Sequence, residues 1–425
     1  MRDNWKEIRL VDLALFRRGS FPQPYGLNKW YDDNNGMPFI QVYDVGDNMK
    51  LKRITKRKIS KLGAQMSVFI PRGSLILTIQ GSIGRVAITD YEAYMDRTLL
   101  VFQKFHEKVD LKFIMYIIRE LFNEAKENAN GSTIKTITKE ELSEYTINLP
   151  PLPQQQTIAK ILTTVDNVIE KTENAIAKYQ AIKQGLMHDL FTRGIDVHTG
   201  QLRPTPQEAP ELYYESALGL IPLEWVVEEL RELTIKIGSG STPTGGSEVY
   251  QTAGILFIRS QNVLNGKLSI KDAAFISPEI DEKMSGSRVS HFDVLLNITG
   301  ASIGRCAYFP TELSCANVNQ HVCIIRLNEV FEENSIFTVA FLNSEFGQTQ
   351  IKALNAGGNR EGLNFQQIGS FNFPRLSNDE IIRISLALQT FYQKIQTEQE
   401  SLAKYQQVKA GLLQDLLTGK VEVVV

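Results

Sequence analysis

Between residues 158 and 190, apolar or spacer residues recur at alternating steps of four and three: Ile158, Leu162, Val165, Ile169, Thr172, Ile176, Tyr179, Lys183, Leu186 and Leu190. The same cadence returns 226 residues later at Ile384, Leu388, Phe391, Ile395, Glu398, Leu402, Tyr405, Lys409, Leu412 and Leu416. Such spacing keeps one helix face apolar, and held over more than four heptads it reads as a coiled-coil seam. At 1.5 Å per residue, each seam is about 50 Å long. The two stretches even end alike, in KQGLMHDLFT (183–192) and KAGLLQDLLT (409–418). A different pattern precedes each seam. Short apolar runs of strand length come in the same order twice: MPFIQVYDV (37–45) and ILFIRSQNV (255–263), SLILTIQ (74–80) and HFDVLLNITG (291–300), DRTLLVFQ (96–103) and NQHVCIIRL (319–327). Helical periodicity then covers 111–125 and 334–346, followed by glycine-containing loops at 128–133 and 355–360.

The chain is therefore one unit written twice. The pattern gives a mixed α/β domain over 1–150, a long helix over 151–194, a connector over 195–220, a second domain over 221–376, and a second long helix with its tail over 377–425. Pro204, Pro206 and Pro210 rule out a helical connector and make it an ordered link to Trp225, the counterpart of Trp5. If the halves are alike, the second helix returns along the first as an antiparallel coiled coil with a pseudo-twofold axis. The alternative is that each helix packs only on its own domain.

Composition changes this picture little. Hydrophobic residues are 43% and charged residues 22%, an ordinary globular balance. The net charge of −2 means that any nucleic-acid contact must come from local basic patches. Cys306, Cys315 and Cys323 form no disulfide framework, and MRDNWKEIRL is no signal peptide, so a cytoplasmic protein without membrane association is expected.

A search for catalytic chemistry finds little. NLPPLP (148–153) superficially resembles the N-P-P-aromatic motif of amino-methyltransferases, but Leu149 separates Asn148 from Pro150 and no aromatic follows; it suits a helix start. No glycine-rich phosphate loop is present, and Cys315, His321 and Cys323 lack zinc-ligand spacing. Basic and amide-rich loops are more informative. KLKRITKRKISK (50–61) holds seven basic residues, among them Lys52, Arg53, Lys56, Arg57 and Lys58, and lies near Arg72 and Arg85 in sequence. Such a run is either a solvated face or a phosphate-binding patch. The loop QPYGLNKWY (23–31) offers Tyr25, Lys29 and Trp30 for stacking and phosphate contact, or is an ordinary surface loop. The second half instead offers Arg259, Gln261 and Asn262, Arg305, Asn319 and Gln320, and Arg360, Asn364 and Gln366. Arg, Asn and Gln are the side chains that pair bidentately with guanine or adenine edges.

Taken in order, the duplicated Q-G-S-I-G-R (80–85) and G-A-S-I-G-R (300–305) phrases, the duplicated K-x-G-L-x-x-D-L-x-T helix ends and the segment YYESALGLIPLEW (213–225) closely resemble the specificity subunit of type I restriction-modification systems. The resemblance covers nearly the whole chain. It implies two target-recognition domains, each reading one half of a bipartite site in double-stranded DNA. It also implies a coiled coil that sets their spacing and docks two methyltransferase subunits. This chain would be non-catalytic and bind no cofactor; S-adenosylmethionine, ATP and magnesium would belong to the methyltransferase and restriction subunits. The start of the second helix, FPRLSNDE (373–380), departs from PLPQQQ (151–156), which makes the two docking surfaces unequal. In the repeated turns, Ile83 and Ile303 are expected in the core, and Arg85 and Arg305 on phosphate in preference to a structural acid. Two rivals stand beside this reading: a DNA-blind protein scaffold, and a methyltransferase fused to a recognition domain.

Overall fold

The structure is a computed structural model that describes residues 4–128, 137–355 and 362–424. The chain forms two compact units, Met1–Glu173 with Glu400–Val425, and Asn174–Gln399. Both have the same topology. In unit 1 an antiparallel sheet runs in the order Ala14–Arg18, Leu99–Phe105, Leu75–Thr78, Val86–Ile88. A second sheet runs Arg57–Ile59, Met37–Ile40, Ala93–Met95, Val68–Ile70, with one parallel pairing, Phe39 to Tyr94. Unit 2 repeats both: Thr234–Ser239, Val322–Leu327, Val294–Asn297, Cys306–Tyr308, and Ala274–Ile276, Ile255–Ile258, Ala316–Val318, Arg288–Val289. A short ribbon closes each domain, Lys6–Arg9 with Thr146–Leu149 and Val226–Glu229 with Asn372–Arg375.

Burial explains why the central strands read as unbroken apolar runs. In LILT, Leu75 and Leu77 face a core shared with helix Leu111–Asn128, while Ile76 joins Ile40, Met95 and Val101 between the two sheets. Val294, Leu296 and Leu295 divide in the same way in unit 2. With both faces covered, alternation disappears. Cys306 and Cys323 belong to the same core, and burial pushes both thiols up, Cys323 to about 12.

Two runs differ from expectation. MPFIQVYDV and ILFIRSQNV are strands only to Ile40 and Ile258; the chain then winds into 3-10 turns, Val42–Asp44 and Ser260–Asn262. The Asp44 carboxylate accepts the Gln41 N–H at 2.9 Å, and the Asn262 amide oxygen accepts the Arg259 N–H at 3.0 Å, pulling the backbone out of the extended form. The helix expected over 334–346 breaks at Ser344, which is extended, between Glu332–Asn343 and Glu345–Asn355.

The long helices are Leu152–Thr192 and Asn378–Leu417. Within each unit, the half of one helix lies beside the opposite half of the other, so the pairing is antiparallel. In unit 1 Lys409 meets Asp166 at 2.6 Å; in unit 2 the Lys183 ammonium lies 4.5 Å from the Tyr392 ring centroid. Shared coil and packing on the domain both occur. Leu162 and Leu416 enter the unit 1 core, joined at its edge by Leu412, and Leu190 and Leu388 enter that of unit 2 with Leu186 at the edge. Ile176 and Ile395 are buried; Val165, Ile169, Tyr179, Phe391 and Leu402 are half-buried. Tyr405, expected in the seam, is 38% exposed and turned outward.

The repeated SIGR turns follow a central strand in each unit. The Gly84 N–H donates to the Thr78 carbonyl and the Gly304 N–H to that of Asn297, each at 2.9 Å. Both glycines have left-handed backbones, φ +81° and +85°, and lie against the following helix segment, where side chains are hard to place. Ile83 is buried and Ile303 half-buried, as expected.

Candidate nucleic-acid interface

The 3-10 turn after Ile40 gathers a polar aromatic surface in unit 1. The Tyr43 hydroxyl donates to Gln41 Oε1, and Gln41 Nε2 reaches the Tyr25 hydroxyl at 3.5 Å. Cations lie over these rings: Arg57 is 3.7 Å from the Tyr31 centroid, Lys56 4.8 Å from Tyr43 and Arg97 5.3 Å from Tyr25. Burial pushes Tyr43 up to about 12 and raises Tyr31, so both hydroxyls stay protonated donors at neutral pH. Arg57 also pairs with Asp33 at 3.0 Å; the Lys58 N–H bond to that carboxylate, aided by Arg57, holds Asp33 below the ordinary range. Half-exposed tyrosine faces backed by arginine and lysine provide stacking area and positive charge together, the combination that nucleic-acid surfaces use. No sequence signal marks Tyr31, Gln41, Tyr43 or Arg97; Gln41 and Tyr43 lie in a run whose pattern reads as strand.

The basic run is therefore not one patch. Lys50 is drawn to Glu170 at 2.5 Å, Lys58 donates to the Asn34 carbonyl at 3.2 Å, and Lys52 and Arg53 are exposed. Arg72 is exposed beside a left-handed Gly73, and Lys29 lies 4.4 Å from the Trp30 ring. Trp30 itself is a correction: at 4% exposure it packs with Phe21, Phe39 and Ile59 and donates to the Pro24 carbonyl, anchoring the loop and leaving no face for a base. Arg85 is a second correction. Its guanidinium takes Asp47 at 2.7 and 3.0 Å and the Val45 carbonyl at 3.1 Å, so it serves a structural acid. Arg305 is exposed and makes no ion pair among the described residues.

In unit 2 Gln261, Gln320, Asn364 and Gln366 are exposed. Thr242 donates to Gln320 Oε1, Gln320 Nε2 lies 3.2 Å from His321 Nε2, and His321 Nδ1 lies 2.7 Å from Thr299 Oγ1. Arg259 is half-buried; it donates to the Asp272 carbonyl at 3.2 Å, while its Nε is buried with no partner among the described residues. Asn262 and Asn319 are corrections, being 3% and 8% exposed. Asn262 caps its turn and donates to the Ser269 carbonyl, and the Asn319 amide oxygen accepts the His321 N–H. Asn364 uses its side-chain oxygen to cap helix Phe365–Gly369. Arg360 lies outside the described residues.

Register makes the two surfaces comparable residue by residue. Phe39 pairs with Arg57 as Phe257 pairs with Ala274. The Asp96 N–H bonds Ile40 as that of Asn319 bonds Ile258. Gln41 thus corresponds to Arg259, Tyr43 to Gln261, Arg57 to Ala274 and Arg97 to Gln320. The backbone repeats and the side chains do not: Tyr43, Arg57 and Arg97 reach the surface in unit 1, where buried Gln41 supports the tyrosines, and Arg259, Gln261 and Gln320 do so in unit 2.

Comparison with known proteins agrees with this architecture. The family described as "Type I restriction modification DNA specificity domain" matches residues 2–179 and 222–407. A putative type I restriction enzyme MjaX specificity subunit from Methanocaldococcus jannaschii is 25% identical over 447 residues, covering 99% of this chain and 94% of that protein. The MjaVIII specificity subunit of the same organism is 21% identical over 430 residues, with 99% and 94% covered. A crystal structure of a type I restriction-modification S subunit from M. genitalium superposes with TM-score 0.60 at 15% identity, covering 97% of this chain and 96% of that one. With the family profile spanning both repeats, the chain belongs to the type I restriction-modification DNA specificity family.

Proposed function

We infer that each unit reads one half of a bipartite DNA site, and that the long helices set the spacing and dock methyltransferase subunits that carry the S-adenosylmethionine chemistry. The observation that carries this reading is the divergence at equivalent positions: Gln41, Tyr43, Arg57 and Arg97 against Arg259, Gln261, Ala274 and Gln320 on one repeated backbone. A scaffold that bound one partner twice would keep those side chains alike. Base identity is carried by contacts to base edges, and the shared backbone fixes register. Support for docking comes from apolar side chains left exposed on the long helices, Ile182 and Leu386 in unit 2, Tyr405 and Val408 in unit 1.

The test is methylation mapping in a host expressing this chain with the methyltransferase subunit of its system, against the methyltransferase alone. A bipartite methyl-adenine motif should appear only with both. Tyr43→Ala with Arg57→Ala should then relax or abolish one half of the motif and leave the other half and the spacer unchanged. A motif that changes in both halves, or no motif although the proteins co-purify, would sink the reading.

A further inference from the structure

The duplication extends to a cleft beside the long helices, and there the two copies differ in charge. In unit 1 a cavity of about 790 Å³ is lined by Asp47, Glu120, Glu124, Asp166, Glu170 and Glu173 among its acids, with Lys50, Arg119 and Lys409. The lysines are paired from within: Lys409 with Asp166 at 2.6 Å and Lys50 with Glu170 at 2.5 Å. In unit 2 the corresponding cavity, about 340 Å³, has equivalent walls in the turn at Asn265–Lys267, helix Glu332–Asn343 and the two long helices, with Tyr308 added and no counterpart of the wall at 146–148. Lys183 stands 226 residues before Lys409. At that same offset Tyr392 replaces Asp166, Gln396 replaces Glu170 and Gln399 replaces Glu173.

The two carboxylates that pair with lysines in the first cleft, Asp166 and Glu170, thus have neutral counterparts in the second, while the lysine remains. Among the described residues no carboxylate is part of the unit 2 cavity lining, and Glu332, which lies behind it, is taken by the Tyr308 hydroxyl at 2.9 Å; the polar lining is Lys183, Lys267, Asn265, Tyr308, Tyr392 and glutamines. Lys183 is half-buried over the Tyr392 ring. Burial alone lowers its pKa, with no acid beside it to restore it. Burial also pushes Tyr392 up to about 12, which keeps that hydroxyl a donor at neutral pH. A desolvated ammonium without a counter-ion is costly, and an anion supplied from outside removes the cost.

We propose that the unit 2 cleft is a binding site for a small anionic ligand, its carboxylate or phosphate oxygens held by Lys183 and Lys267 and its body lying among Tyr308, Tyr392 and the glutamine side chains. The volume suits a small molecule and exceeds what one ion fills. Unit 1 shows what chemistry the lysine positions accept, because there the chain's own carboxylates occupy them.

The test is titration calorimetry on the full chain with glutarate and, separately, inorganic phosphate. Saturable binding of at least one anion is expected, weakened at least tenfold by Lys183→Gln and severalfold by Gln396→Glu, which restores the acid of the first cleft. Lys50→Gln, in the unit 1 cleft, should leave binding unchanged, and thermal melts should show all three variants folded. Glutarate binding alone would assign a carboxylate ligand, and phosphate binding alone an oxyanion of that class. Absence of saturable binding by both anions, or binding that Lys183→Gln and Gln396→Glu leave undiminished, would overturn the proposal. Neither outcome bears on the methylation motif, so the two readings fail separately.

Discussion

Trp5 and Trp225 open their units in the same way, each donating its indole N–H to the first turn of a long helix, yet the partners differ in kind. Trp5 reaches Gln154 Oε1 at 3.1 Å, a neutral bond between two segments. Trp225 reaches Glu380 Oε2 at 3.1 Å, and the same carboxylate accepts the Ile195 N–H at 2.9 Å and Arg203 Nη1 at 2.5 Å. Arg203 also donates to the Arg193 carbonyl at 3.0 Å. Four segments meet at this point: the end of the first long helix, the connector, the start of the domain and the start of the second helix. A neutral amide has one acceptor oxygen to offer, whereas a carboxylate has several lone-pair sites, so the denser junction uses a buried ion pair. Gly194, φ +63°, is required there, because a Cβ would stand 2.1 Å from Glu380 Oε1.

The sharpest break of this comparison is to truncate each acceptor. Glu380 and Arg203 side chains are 3% and 6% exposed. Glu380→Ala leaves the buried guanidinium with exposed Glu224 as its remaining acid and takes the acceptor from Trp225 and Ile195, so a loss of about 3 kcal/mol is expected, against about 1 kcal/mol for Gln154→Ala. Urea unfolding followed by hydrogen exchange should place the first loss in unit 2 and the second in unit 1. Equal losses would mean that the two junctions are energetically alike despite their chemistry.

The SIGR turns give a smaller contrast. A Cβ on Gly84 would stand 2.6 Å from Phe122 Cβ, fixed in the helix behind it, whereas one on Gly304 meets the Gln348 amide oxygen at 2.9 Å, the end of a side chain that can rotate away by giving up its bonds to the Gly304 and Leu342 carbonyls. Both substitutions carry the left-handed backbone penalty of about 1–2 kcal/mol. Gly84→Ala adds overpacking of about 1–3 kcal/mol against a side chain that cannot swing away. Melting and chemical unfolding should therefore show Gly84→Ala as the worse of the two by roughly that amount.

These contrasts also mark where sequence reading succeeds. The duplication, the two long helices and the inward SIGR isoleucines, Ile83 buried and Ile303 half-buried against its core, are legible because they rest on periodicity and spacing, which a chain displays directly. Trp30, Asn262 and Asn319 are misplaced by residue type alone, which does not encode position. An indole at a loop end can close a core, and an asparagine after a strand can cap its own turn. Tyr43 shows the converse: one aspartate bond turns a strand-like run into a 3-10 turn and leaves its side chain half-exposed. Such outcomes depend on a hydrogen bond to a neighbouring segment, and no local pattern records it. The divergence of the paired clefts lay in plain view, as Asp166 against Tyr392, but acquires meaning only once the lysines are seen beside them.

Arg85 and Arg305 provide the finest contrast, one phrase with two environments. Arg85 is held by Asp47, which is largely exposed, so the pair contributes little to stability, about 0–1 kcal/mol. It does cancel the local charge. Arg305 is exposed, carries its charge without an acid partner among the described residues, and is the better placed of the two to meet a phosphate. On the proposed function, in a complex reconstituted with a methyltransferase subunit on a duplex carrying the mapped motif, Arg305→Ala should weaken affinity about equally for all sequences and lower the slope of log affinity against log salt by about 1. Arg85→Ala should change that slope by less, because the pair it breaks is neutral. Asp47→Asn should steepen the slope, because it frees Arg85 for phosphate. Equal slopes for Arg85→Ala and Arg305→Ala would mean that Asp47 releases its arginine on binding, and that the repeated turn is a repeated phosphate contact after all.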